Sequence, residues 1–285
     1  MVTDAARWRR KVVRPVLDRY AAIDGVDAVM LGGSTARGDA DRWSDVEIGV
    51  FWQRQPTTAE RRAVPGAEIR LLNVAGPPPW DDQVDLDGLM LEVSHTLSES
   101  VDSALDELLV SGRPDGATMQ LAQGVVDASE VIGARPELVA RWKARVATYP
   151  RELAVAVVRH DGNIEKFWRL QMLIERENPL LISREFVRIT GQFLTVLHAV
   201  NGRYSGHILA FKRLDTMERD LPLAPPSLAA RVRAVFTEPA PIGAQILRDL
   251  VEETYDLVER HLPEVDVDRL RTTFRNDRKP LDSLD

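Results

Sequence analysis

Cysteine is absent from this 285-residue sequence, which excludes disulfides, thiolate metal sites and a cysteine nucleophile at once. Any metal must then be held by oxygen or by imidazole, and the five histidines are scattered without ligand spacing, which argues against zinc. No apolar run reaches the roughly 18 residues that a membrane span needs. The N-terminus, MVTDAARWRRKVV, has no apolar block of the secretory kind, and a cytoplasmic protein is predicted. Long Lys/Arg tracts are also missing. With 37 basic against 44 acidic residues the formal net charge is -7, which disfavours an extended nucleic-acid track and favours a small or cationic partner.

The length suggests two cores, and 44% hydrophobic with 28% charged residues is ordinary globular usage. Helical spacing of Val12, Val13, Val16, Leu17 and Tyr20, with Thr3 as N-cap, predicts an opening helix from Thr3 to Ala22. Strands are predicted at Val26 to Leu31, at Asp45 to Trp52, at Ala67 to Val74 and at Gly88 to Thr96. A short charged helix is expected near Ala59 to Arg62, and Ser98 to Leu109 reads as a helix with a serine N-cap. Ala117 to Val126 reads as one more strand. The acid-rich run from Pro79 to Asp87 reads as an exposed turn, with a site for a cationic acceptor as the alternative.

Beyond that point helical periodicity takes over. Helices are predicted at Glu137 to Thr148, Arg151 to Glu177, Ser183 to Val200, Leu209 to Arg219, Ser227 to Phe236 and Ile242 to His261, with a polar, frayed tail after Phe274. The fold class is therefore α+β with a mixed β-sheet, followed by an all-α helical bundle. The boundary falls at Tyr149-Pro150, giving domains 1–149 and 150–285.

Chemistry concentrates between Gly32 and Val50. Two glycines after a buried strand let the backbone approach an anion, and Ser34 adds a hydroxyl, with Arg37 one turn on. Eleven positions after Ser34 come Asp45 and Glu47, which strand alternation places on one face while Val46 and Ile48 face the core. Two such acids repel unless a cation lies between them, and magnesium prefers one or two carboxylates plus phosphate oxygens. A third acid, Glu92, is flanked by Leu91 and Val93 on a later strand. Each part taken alone has a plain structural explanation. Gly-Gly-Ser is commonly a turn, and an acid-x-acid pair is commonly a solvated strand face. Trp43, just before Asp45, either covers the metal or packs.

Taken in order, GSTARGDADRWSDVE and the later Glu92-Val93 resemble the polymerase-beta-like nucleotidyltransferase superfamily. Its signature is an apolar strand, Gly-Ser, an acid-x-acid pair on the next strand and a third acid on a later one. The GSxARG run is similar to the minimal nucleotidyltransferases. Glu47 stands where most members have Asp, although kanamycin nucleotidyltransferase is similar in having Asp-x-Glu. The resemblance implies a nucleotidyltransferase domain that binds two Mg2+ ions and a nucleoside triphosphate, ATP being the expected one. Asp45, Glu47 and Glu92 would be catalytic and metal-binding, with Glu92 either a ligand or the general base. Gly32, Gly33, Ser34 and Arg37 would meet the triphosphate.

The helical half resembles the C-terminal domain of uncharacterised bacterial nucleotidyltransferase-like proteins through Arg176, Asn201 with Tyr204, Lys212 and Leu221-Pro222. Glu177 or Asn178 stands where an Asp is usual. Asn201, Tyr204 and Lys212 are accordingly expected at the nucleotide, although a Lys on a helix is most often solvated and such a Tyr is often a loop anchor. The implied activity is transfer of a nucleoside monophosphate to a hydroxyl of a small-molecule acceptor, of the antibiotic-modifying kind, with a homodimer compatible. Two other readings stand beside it: a protein AMP transferase with a macromolecular acceptor, and a catalytically silent nucleotide-binding module.

Overall fold

The structure, a computed structural model, describes residues 2–73, 76–205 and 214–278. It divides into two compact units, one of residues 1–111 and 120–148 and the other of residues 112–119 and 149–285. Lys212 and most of the tail expected to be frayed, from residue 279 on, lie outside the described residues, as do residues 209–213 of the helix read from Leu209. No helix among the described residues is long and apolar enough to cross a membrane.

The first unit is built on a six-stranded mixed sheet, β1 (Val26–Leu31), β2 (Val46–Trp52), β3 (Glu68–Leu71), β4 (Trp80–Leu86), β5 (Leu89–Leu97) and β6 (Ser129–Ile132), in the order β3-β4-β5-β2-β1-β6. β2 and β5 run parallel and every other pair is antiparallel. Helix α1 (Asp4–Ala21) starts where Thr3 accepts the Ala6 amide at 3.1 Å and buries Val13, Val16, Leu17 and Tyr20. Those side chains join Val46, Ile48, Leu91 and Val93 in one core, so one face of the sheet is closed by α1. Short α2 (Gly33–Arg37) follows β1, and α3 (Thr58–Arg61) opens with a capping box between Thr57 and Glu60. Helices α4 (Ser98–Leu109) and α6 (Glu137–Val146) also belong to this unit, with Trp142 of α6 packed edge-on against Phe51 at 4.8 Å between ring centroids. Ser98 is the first helical residue of α4 rather than its cap. Its hydroxyl instead donates to buried Asp27 at 2.6 Å.

Two further expectations are corrected. Residues 117–126 form a helix, α5 (Gly116–Asp127), and the last strand is β6 just beyond it. Met119, Ala122 and Val125 are buried at three-residue spacing, a helical stripe that an apolar run of this length also disguises as a strand. Within the run from Pro79 to Asp87, residues 80–86 form β4 rather than an exposed turn, with Trp80, Asp82 and Val84 buried on alternate positions. Asp82 tolerates the core because buried Arg61 donates to it from Nε at 3.0 Å and from Nη2 to the other oxygen.

His95 completes that buried cluster. Trp52 Nε1 donates to His95 Nδ1 at 3.1 Å, which leaves the proton on Nε2, 3.2 Å from Asp82 Oδ2. Burial pushes the imidazole pKa down and outweighs the opposing pull of Asp82, while the Arg61 charge lowers it further. A folded pKa below the unfolded value of about 6.5 means that the unfolded chain binds the proton more readily in acid. Stability attributable to His95 is therefore complete above about pH 6.5 and declines as pH falls below it. Urea midpoints between pH 7.5 and 5.5 should show this slope in the wild type and a shallower one in His95→Gln. Equal slopes would reject the assignment.

The second unit is helical. It contains α7 (Arg151–Asp161), α8 (Arg169–Glu175), α9 (Pro179–Val200), α10 (Leu214–Asp220), α11 (Leu228–Thr237), α12 (Ala240–His261) and α13 (Val267–Arg275). The helix read from Arg151 to Glu177 is broken into α7 and α8. At the break, Tyr255 donates to the Gly162 carbonyl at 2.8 Å, and a Cβ on Gly162 would meet the Val158 carbonyl oxygen at 2.4 Å.

Candidate functional site

The site begins where β1 ends. Gly32 donates to the Glu47 carbonyl at 2.8 Å, holding the start of α2 against β2. Gly33 has φ +58, and a Cβ built there would lie 1.5 Å from Glu47 Oε2. The volume that a side chain would take at position 33 is thus occupied by the Glu47 carboxylate, which is why glycine is needed there on both counts. Within α2, Ser34 is 1% exposed, and its hydroxyl has no hydrogen-bond partner among the described residues. A buried hydroxyl in that state awaits a ligand atom or water. Arg10 closes the helix from behind, donating to the Thr35 and Ala36 carbonyls at 3.1 and 2.7 Å.

The loop from α2 to β2 is pinned at several points. Thr3 donates to the Ala40 carbonyl at 2.7 Å, and buried Arg9 donates to the Ser44 carbonyl at 2.9 Å. Asp41 accepts from the Trp43 amide at 2.9 Å and from the Ser44 hydroxyl at 3.0 Å. This fixes the chain immediately before Asp45, whose carbonyl faces the Thr35 hydroxyl at 3.5 Å. Trp43 is not packed in the core: it is 81% exposed, with the Arg42 guanidinium 4.8 Å from its ring centroid.

Asp45 directly precedes β2 and Glu47 lies within it, separated by buried Val46. Across the parallel β2–β5 pair Glu47 stands in register with Glu92, between the buried pairs Val46–Leu91 and Ile48–Val93. Alternation therefore puts both glutamates on the face opposite α1. Farther along that face Phe51 is buried beneath Trp142, whereas Glu92 and its neighbour Met90 are exposed. The acidic end of the face is the accessible one. Asp45 and Glu47 are half-buried, and Glu92 is the most exposed of the three acids.

Arg37 occupies the far end of α2. Its Nη1 donates to Asp127 Oδ2 at 2.5 Å and its Nε lies 3.5 Å from Asp39 Oδ1. The guanidinium pKa is raised: burial acts to lower it, but Asp127, then Asp39 and Glu47, more than compensate. Burial raises the Asp127 carboxyl, against the opposing pull of Arg37. Asp127 carries no motif and ends a segment that reads as apolar, so nothing in the local sequence distinguishes it.

In the helical unit Asn201 caps α9 and spends its amide on the scaffold. It donates to the Leu197 and Leu223 carbonyls at 2.7 and 2.9 Å and accepts from the Leu223 amide at 2.9 Å. Tyr204 is 4% exposed and lies against Tyr149, ring centroids 4.8 Å apart, which makes it a packed anchor. Among the described residues no group of three or more His, Asp or Glu is gathered as a ready-made metal cluster. A cation at this site would rest on a pair of carboxylates, with further oxygens from a ligand and water.

No protein-family model and no curated protein matches the chain. Among solved structures it is similar to a nucleotidyltransferase-like protein from Exiguobacterium sibiricum 255-15, with 12% identity over 90% of this chain and 81% of that one and a TM-score of 0.40. A likeness at that TM-score carries no inference about activity, so the function has to be argued from the residues of the site.

Proposed function

We propose that the chain is a magnesium-dependent nucleotidyltransferase that moves a nucleoside monophosphate from a nucleoside triphosphate, ATP first among candidates, to a hydroxyl of a small-molecule acceptor. The observation that supports this most is the position of Glu47. Its carboxylate lies against the bare Cα of Gly33 and in register with Glu92, beside a buried Ser34 hydroxyl without a partner among the described residues. A structural turn followed by a solvated strand edge would not need that packing.

The donor set fits magnesium: Asp45, immediately before β2, and Glu47, within it, offer hard carboxylate oxygens, and the ion would complete its shell with phosphate and water. When bound, magnesium supplies charge neutralisation and Lewis acidity at the α-phosphate. The chain's own residues position and balance charge. Ser34 donates to a triphosphate oxygen, the Gly32–Gly33 backbone admits the phosphates closely, and Arg37 presents its guanidinium to the β and γ groups. Glu92, the most exposed acid, takes the proton from the acceptor hydroxyl as it attacks the α-phosphorus and pyrophosphate leaves. The acidic face also suits an amine-bearing acceptor.

Incubation with each labelled triphosphate, magnesium and panels of aminoglycosides, lincosamides and candidate proteins tests the proposal. Label on a small molecule supports it. Label on a protein redirects it to AMP transfer onto a macromolecule, and absence of both labelling and metal-dependent triphosphate binding rejects it. With an acceptor in hand, Glu92→Gln is expected to lower turnover about a hundredfold, the usual contribution of a positioned base, while ATP affinity stays at the wild-type value. Loss of ATP affinity in that variant would make Glu92 a ligand of the metal instead.

A further inference from the structure

Arg37 sits three residues after Ser34 on α2, a spacing that puts both on one side of the helix. Its guanidinium is only partly used. Nη1 is bonded to Asp127 and Nε faces Asp39, which leaves Nη2 without an acceptor among the described residues. Asp127 itself is fixed. Its side chain is 8% exposed, and its second oxygen accepts from Gln123 Nε2 at 2.9 Å, one turn earlier on α5. A carboxylate so buried and doubly bonded cannot follow the arginine, so the arginine must conform to it.

We propose that Asp127 is a positioning residue that orients Arg37, holding one edge of its guanidinium so that the remaining donor is presented to a β- or γ-phosphate oxygen of the substrate. The inference rests on the nucleotidyltransferase reading above. A plain surface ion pair would contribute little and would have no preference for any ligand. This pair differs in that the carboxylate is buried and clamped, while the arginine is 37% exposed beside Ser34 and within electrostatic reach of Glu47. An arginine fork held on one side loses less freedom when its other side meets phosphate, which is the physical advantage of a second carboxylate behind it.

Calorimetric titration of the full chain with ATP, inorganic tripolyphosphate and AMP, each with magnesium, separates the possibilities. Asp127→Asn is expected to weaken ATP and tripolyphosphate binding about tenfold, the scale of one charge-assisted hydrogen bond, and to leave AMP unaffected because it lacks the outer phosphates. In an Arg37→Met background, Asp127→Asn should change nothing further. Gln123→Leu keeps both charges but loosens Asp127, and should give the same pattern with a smaller loss; it serves as the test if Asp127→Asn fails to fold. Parallel losses for AMP, or additive effects across the double-mutant cycle, would overturn the positioning role in favour of a structural pair. A wild type that binds ATP and tripolyphosphate, with Asp127→Asn binding equally well, overturns this inference alone. A wild type that binds neither overturns the nucleotidyltransferase reading together with it.

Discussion

Asp45→Asn should lower nucleotidyl transfer at least about a thousandfold, close to 4 kcal/mol of transition-state stabilisation, without unfolding the chain. Asparagine keeps the side-chain shape, the contact with the Thr35 hydroxyl is made by the backbone carbonyl, and Asp45 is half-buried at the entrance to β2 rather than in the core. The pinned loop before it, with Arg9 on the Ser44 carbonyl and Asp41 on the Trp43 amide, does not depend on the Asp45 charge. Under the proposed function, what is lost is a hard anionic ligand. An amide oxygen holds a divalent cation far less strongly than a carboxylate, and with Glu47 the only other acid on that strand the remaining ligand set is too poor. Turnover of labelled ATP onto the identified acceptor, measured beside the thermal midpoint, decides the matter. An unchanged midpoint with abolished turnover is the expected pair of results, and unchanged turnover would remove Asp45 from the site.

The parts of this site that could be read from sequence are those whose logic is local. The Gly-Gly-Ser turn after a buried strand and the alternation of Asp45, Val46, Glu47 and Ile48 depend only on neighbours along the chain, and Thr3 caps α1 by the same local rule. Glu92 could be read for the same reason, as an acid between two core residues. What could not be read depends on partners far away. Asp82 is buried because Arg61 reaches it from 21 residues earlier, and without that partner its strand looks like a string of exposed acids. Asp127 meets Arg37 across 90 positions and carries no spacing of its own. The stretch from Ala117 to Val126 has the composition of either element, and β6 after it is only four residues long with Glu130 at φ +50, too short and irregular to announce a strand. In the helical unit the motif residues gave types without roles: the Asn201 amide is consumed by Leu197 and Leu223, a commitment that no pattern in one segment contains.

Gly33→Ala is the second change expected to have a large effect, and it separates stability from chemistry. Alanine at φ +58 carries a backbone cost of about 1–2 kcal/mol. Its Cβ would also lie 1.5 Å from Glu47 Oε2, but that atom is the end of a flexible side chain and can swing away at little further cost to the fold. The carboxylate then leaves the position from which the proposed reaction would use it. Transfer should fall by two to three orders of magnitude, roughly what misplacing a reacting group by an ångström or more costs. Gly38→Ala supplies the control. It too has positive φ, +87, but its Cβ would meet the Val2 side chain at 3.1 Å and not Glu47. A similar loss of stability with nearly normal turnover is expected there. If Gly33→Ala and Gly38→Ala lost activity equally, the damage would lie in α2 as a whole and not in the Glu47 carboxylate. Shortening the displaced side chain offers a further check, because Gly33→Ala combined with Glu47→Asp relieves the overlap by one methylene. Partial recovery of transfer over Gly33→Ala alone would show that the bare Cα of Gly33 is there to make room for a carboxylate.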